Sequence, residues 1–334
     1  MFRIRKLGER CKRKMAKQKG YIIRLLSAEQ GAALVLVALG LVVFLGCVSL
    51  VTDIGLLFSC KTHLVNTADA AALAGAQELP GDPDCAVVVA KEYALANGVS
   101  AGNLEVEVGS DLRSITVRPQ QQVQFLFAQV LGFTTQEVSA AATAFAGPLS
   151  GVIGVVPFSI EEQELQYGRE YVLKEGAGGA AEAGVDGRMH GWFGALDTDN
   201  TPGGGANEYR EQVKLGYQEI LRVGNQIPTE TGNMSGPTVD GVQFRISQCK
   251  DGCTPENCKR DCPRLLIIPV IRVVDWYEIT PKQVEIRGFA AFFVDGVEGQ
   301  GNENYVVGRF IKSVYSGELG AGADYGSYAV KLIH

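Results

Sequence analysis

Histidine is scarce in this chain, with three residues among 334 (His63, His190 and His334). That scarcity argues against a metal or proton-transfer centre built on imidazoles. Tryptophan (two) and methionine (four) are few as well. The chain contains no G-x-x-x-x-G-K-[ST] phosphate loop, no H-E-x-x-H pair and no G-x-S-x-G elbow. Nucleotide hydrolysis, zincin-type proteolysis and α/β-hydrolase chemistry therefore lack their usual signatures. Glu175–Ala180 (EGAGGA) imitates a dinucleotide loop, but no strand–helix unit encloses it. These absences predict no enzyme activity and no cofactor.

The most informative absence is of charge. From Gly31 to Thr52 no residue is ionisable as acid or base except Cys47. A helix needs about 20 apolar residues to cross a bilayer, so residues 31–58 read as a transmembrane helix. Residues 1–30 hold ten Lys and Arg against Glu9 and Glu29, a balance of +8. With the whole chain at −6, residues 31–334 carry −14. The positive-inside rule keeps the basic arm in the cytoplasm and exports the rest, giving a single-pass membrane protein. An acidic exterior predicts no nucleic-acid partner. A cleaved signal is the competing reading, but its apolar core is about 7–15 residues and this one is roughly twice that.

Asp53 is the one charge inside residues 31–58. Near the outer end it can reach interfacial water; pairing with a partner helix is the alternative. Gly31, Gly40, Gly46 and Gly55 would allow close helix packing in lipid. Helical spacing continues through the Ala-rich residues 59–80, carried by Asn66, Ala68, Asp69, Ala72, Leu73 and Gly75, and stops at Pro80-Gly81. Residues 81–147 read as a small α+β unit. Asp84 is placed to cap a helix over Cys85–Asn97, and Leu104–Val108 and Ile115–Val117 alternate as a strand pair. Val123–Leu131 is expected to be a short apolar helix and Glu137–Phe145 a strand.

From residue 148 to 334 short β-like runs alternate with Gly and Pro, predicting a mainly antiparallel β domain. Its strands are expected at Val152–Phe158, Tyr171–Lys174, Leu265–Val274, Val284–Val294 and Tyr305–Val314, with helices at Ala206–Tyr217 and Glu161–Leu165. The fold class is thus α+β: a long N-terminal transmembrane helix, a small α+β unit and a β-rich domain. Within the last domain Cys249, Cys253, Cys258 and Cys262 fall in fourteen residues, spaced C-x3-C-x4-C-x3-C. Outside the cytoplasm this spacing reads first as two disulfides of undetermined pairing. A four-thiolate metal site and free thiols are the other readings, although paired C-x2-C knuckles are the commoner metal signature. No metal is expected on this reading. Asp197-Thr198-Asp199-Asn200 offers oxygen ligands for calcium but lacks the rest of a twelve-residue loop.

Several motifs occur in a particular order: Glu29-x-Gly31-Ala32-Ala33, then Asp53-Ile54-Gly55, Asn66 to Ala76 (NTADAAALAGA) and Tyr93-Ala94-x-x-Asn97-Gly98-Val99. They are followed by Phe125-x-Phe127-Ala128-x-Val130-Leu131-Gly132-Phe133 and Val138-Ser139-Ala140-x-Ala142-Thr143-Ala144. In these residues the chain resembles TadG-like proteins of the tight-adherence (Flp) pilus-assembly system over about residues 27–147. The resemblance implies a membrane-anchored, pilin-like accessory or minor component, with membrane lipid and other pilus-assembly or pilin subunits as partners. Related type IV-like pilins carry a Glu five residues after the Gly that precedes the peptidase cut, and that position after Gly31 is Leu36. No Asp-x-Ser-x-Ser metal motif is present. Two other classes are kept beside this one: an anchored surface-binding protein, and an extracytoplasmic thiol or metal protein.

Overall fold

The computed structural model describes residues 29–79, 81–173, 195–198, 205–229, 234–277, 280–301, 303–320 and 322–333. The basic arm, Cys11, the Glu175–Ala180 loop, His190, Asp199 and Asn200 lie outside the described residues. The chain divides into two compact units, one of residues 1–64 with 120–140, the other of residues 65–119 with 141–334.

The first element, α1 (Glu29–Ala76), is a single helix of 48 residues, about 72 Å long at 1.5 Å per residue. It ends within three residues of the expected stop. In the first unit its companion is a hairpin. Residues Gln120–Gln124, the far end of β2 (Ser114–Gln124), pair antiparallel with β3 (Thr135–Ser139). The tip between them holds one 3-10 turn, Ala128–Leu131. The expected helix over Val123–Leu131 is therefore corrected: Val123 and Gln124 belong to a strand, and only four residues are helical. The expected strand Glu137–Phe145 likewise divides, into β3 and β4 (Ala142–Val152), with Ala140 and Ala141 between them.

In the second unit, α2 (Pro83–Ala96) begins two residues earlier than expected. Its cap is Asp82, whose carboxylate accepts from Cys85 N at 2.9 Å, with Pro83 in the first helical position. Asp84 is inside the first turn instead. Asn97 closes the helix and Gly98 takes the left-handed φ of 86° that follows such ends. One sheet runs β1 (Leu104–Val108), β2, β4, β14 (Ser327–Ile333) and β12 (Ser313–Val314), antiparallel except for the β14–β12 pair. The pairing of β4 with β14 joins residues 142–152 to the C-terminal strand.

A second sheet has the order β5 (Ile160–Glu161), β9 (Leu265–Tyr277), β10 (Thr280–Gln300), β11 (Glu303–Ile311) and β6 (Glu170–Val172). Its central strands read as continuous apolar runs because both faces are covered. Leu266, Ile268, Val270, Ala290, Phe292 and Val294 enter one core. Ile267, Ile271, Val284, Ile286 and Phe289 enter another. Period-two alternation thus sends successive side chains to opposite cores. On the first core lie α3 (Gly205–Leu215), through Tyr209 and Val213, and α4 (Ser235–Gln248), through Val242. A Cβ at Gly241 would stand 2.5 Å from Val213 Cγ1, so these helices approach only because that residue is glycine. Glu161–Leu165 is not helical; Glu161 ends β5.

Candidate functional site

In the first unit α1 is exposed along its apolar length, with Leu34 to Val51 and on to Phe58 turned outward at most positions. It is long and apolar enough to cross a membrane. A Cβ at Gly40, Gly46 or Gly55 would meet nothing within 4 Å, so these three positions are open to a neighbour. The hydroxyls of Ser49 and Thr52 donate to Leu45 O at 2.7 Å and Val48 O at 2.9 Å. Polar groups on this surface are thus satisfied within the helix, as lipid requires.

Asp53 breaks the apolar run and yet is only 3% exposed. Its carboxylate accepts from three consecutive backbone amides of the hairpin tip: Leu126 N at 2.8 Å, Phe127 N at 3.1 Å and Ala128 N at 2.7 Å. The physical reason lies in the tip itself. The turn Ala128–Leu131 starts at Phe127, which has no side-chain cap. A helical turn leaves its first N–H groups without internal partners, and a carboxylate satisfies both their hydrogen bonding and their partial positive charge. Asp53 supplies from α1 the cap that the local sequence lacks. Gly132 then ends the turn at φ 91°, and Phe125 N bonds Thr134 O to close the loop. Lys61 Nζ donates to Ser139 O, and Cys60 Sγ lies 3.6 Å from Gln121 Oε1. With its backbone held, the tip turns Leu126, Phe127, Val130, Leu131 and Phe133 outward, Val130 being 90% exposed. Interfacial water and a partner helix were the two expectations for Asp53; the structure gives its carboxylate a third set of partners, within its own chain.

In the second unit the Ala-rich extension is a packing face. Ala68, Ala71, Ala72, Ala74, Gly75 and Ala76 are buried, whereas Asn66 is exposed and Asp69 and Leu73 are partly buried. A Cβ on Gly75 would stand 2.8 Å from Ala86 O, 2.8 Å from Ile115 Cδ1 and 2.9 Å from Ala90 Cβ. Ala86, Ala90 and Ala94 form the buried face of α2. The small residues therefore let two helices and β2 close on one another.

The cysteine-rich loop is brought together in the same unit. Cys253 and Cys262 are buried, and Cys249 and Cys258 pack on the same small core with Leu265, Ala291 and Phe293. Cys262 Sγ lies 3.6 Å from Cys249 Sγ. Sulfurs of Cys249, Cys253 and Cys262 all fall within 4.8 Å of one another. Arg264 fixes the loop, donating to Cys253 O at 3.2 Å, Val294 O at 2.9 Å and Asp295 O at 3.2 Å, with its guanidinium 4.4 Å from the Phe293 ring centre. The backbone N–H of Cys253 holds the Cys249 thiol below its ordinary pKa, while burial pushes Cys258 up to about 11 and raises Cys262 further. Glu162 accepts from Arg272 Nη2 at 2.7 Å and from the Tyr325 hydroxyl at 3.1 Å. The Arg272 hydrogen bond holds its carboxyl below the usual range.

Residues 31–78 match the family described as Flp pilus-assembly TadE/G-like (Tad). This TadE/G-like segment supports a part in Flp pilus assembly. A search of curated proteins and a search of solved structures each gave no significant match.

Proposed function

We propose that the chain is a membrane-anchored, non-enzymatic, pilin-like accessory or minor component of Flp pilus assembly, acting through helix packing and protein–protein contacts. Its basic arm stays in the cytoplasm and its folded units are exported. The observation that carries this reading is the double apolar surface of the first unit. α1 leaves Gly40, Gly46 and Gly55 open, and Asp53 holds a second apolar segment, residues 126–133, on the same unit. Small residues allow close helix approach without a hydrophobic drive from water, and the added side chains widen the contact beyond one helix stripe. The occupant fitted to it is the apolar helix of another pilin-like subunit.

The test is photo-crosslinking in cells that carry the pilus system, with a photoreactive phenylalanine analogue at Val130 or at Val43. Adducts to a pilin or a second TadE/G-like subunit are expected at both positions. Adducts to lipid alone would overturn the reading.

A further inference from the structure

We propose that Cys249, Cys253, Cys258 and Cys262 form a four-thiolate site for one thiophilic divalent cation, best matched by Zn2+. Tetrahedral zinc with Zn–S bonds of about 2.3 Å holds its sulfurs about 3.8 Å apart. Cys249 and Cys262 stand at 3.6 Å, and Cys249, Cys253 and Cys262 lie within 4.8 Å of one another. Cys258 stands outside that triangle, its thiol donating to Lys259 O at 3.3 Å, but it packs on the same small core and is the fourth donor in reach. Three sulfurs in a mutual triangle with a fourth beside them surround a point. Two disulfides would instead sort the four into separate pairs.

Backbone donors point at the cluster. Cys249 Sγ accepts from the backbone N–H of Cys253 and of Asp251, and Cys262 Sγ from that of Arg264. Such N–H···S bonds stabilise charge on sulfur, as outer-shell donors do around metal centres. Four thiolates and a dication carry a net −2, and Arg264 places a guanidinium against the loop, while Lys259 is paired with Asp251. The donor set is all sulfur, which selects soft or borderline cations over calcium or magnesium. A multi-iron cluster would push the sulfurs of Cys249, Cys253 and Cys262 farther apart than they are. A cleft of about 360 Å³, partly lined by Cys258, Glu256 and Arg260, gives a route of entry.

Binding is a proton exchange: four S–H groups release four protons to solvent and four S–Zn bonds form, with no change of oxidation state. No oxidant is required, whereas each disulfide would have to surrender two electrons to an acceptor.

The experiment is elemental analysis of the full-length protein purified in detergent, with the intact mass measured beside it. About one zinc per chain is expected, falling to background in Cys253→Ser and Cys262→Ser and unchanged in Cys85→Ser. Because a Ser variant can fail through misfolding, the wild-type protein is also exchanged with Co2+. Thiolate-to-cobalt charge-transfer bands with tetrahedral d–d bands support four-sulfur coordination. A metal-free protein lighter by four hydrogens, with these thiols unreactive until reduced, overturns the proposal in favour of two disulfides. A metal-free protein whose four thiols alkylate freely overturns it as well. None of these outcomes bears on the assembly reading, which rests on the first unit.

Discussion

Gly75→Ala tests whether the Ala-rich motif is a packing face or merely a favourable helix. On helix propensity alone the change gains about 0.5–1 kcal/mol, because glycine carries the larger backbone entropy cost. The structure opposes that gain with three contacts at 2.8 to 2.9 Å, to Ala86 O, Ile115 Cδ1 and Ala90 Cβ. Ordinary contact begins near 3.4 Å, so each neighbour must yield by about half an ångström. Ala86 O is backbone, and it moves only if α2 moves. Overpacking of this kind costs about 1–3 kcal/mol, leaving a net loss of up to about 2.5 kcal/mol. For a unit of this size that corresponds to a fall in Tm of up to about 10 °C. Thermal unfolding of the detergent-solubilised chain measures it, with Gly40→Ala as the control where no neighbour lies within 4 Å. Ile115→Val removes one of the three obstructing atoms, so the double variant is expected to lose less than the sum of the single losses. A Gly75→Ala protein as stable as Gly40→Ala, or with losses strictly additive with Ile115→Val, would refute the packing argument.

Asp53→Ala removes the acceptor shared by Leu126, Phe127 and Ala128, and hydrogen exchange at those three amides is expected to rise about tenfold or more, since bonds to a charged acceptor are the strong ones. Asp53→Asn keeps one carbonyl oxygen and should fall between; unchanged exchange in both would remove Asp53 from its role as a cap. At Glu162, the hydrogen bond from Arg272 lowers the folded pKa, so the pair's contribution is present above the ordinary glutamate value of about 4.3 and is lost as pH falls through the lower folded value. Glu162→Gln should therefore destabilise the protein at neutral pH and flatten its acid-unfolding curve below about pH 4.3; an acid limb identical to wild type would contradict the assignment.

Long, strongly periodic features were legible in the sequence because burial decides them. The helix over residues 29–76, the strands Leu265–Tyr277 and Thr280–Gln300, and the hairpin of Leu104–Val108 with β2 all follow their apolar patterns. The errors share a physical cause. Residues 125–133 (FLFAQVLGF) carry enough apolar side chains for a buried helix, yet they turn those side chains outward on a capped tip. Local sequence cannot reveal that the cap is Asp53, more than seventy residues away. α4 was not foreseen because Gly236, Pro237 and Gly241 lower its propensity, and tertiary packing of Val242 against the first core outweighs them. The cysteine spacing marked a cluster correctly but, being sequential, carried no information on whether the sulfurs converge on one point.

Asp53 shows why an acid in an apolar run need not be a reaction centre. An uncompensated carboxylate beside lipid is costly, and so are three unpaired backbone N–H groups at the start of a 3-10 turn. Brought together, each satisfies the other, and the combined cost is far below the sum of the two. The pairing also has directional content. Only a segment with consecutive free amides fits the carboxylate, so the register of residues 126–128 on α1 is fixed at one level of the helix. Apolar contacts between Leu- and Phe-rich segments in lipid would not fix it, because such surfaces slide at little cost. The acid thus converts an otherwise non-specific apolar loop into a surface of defined shape.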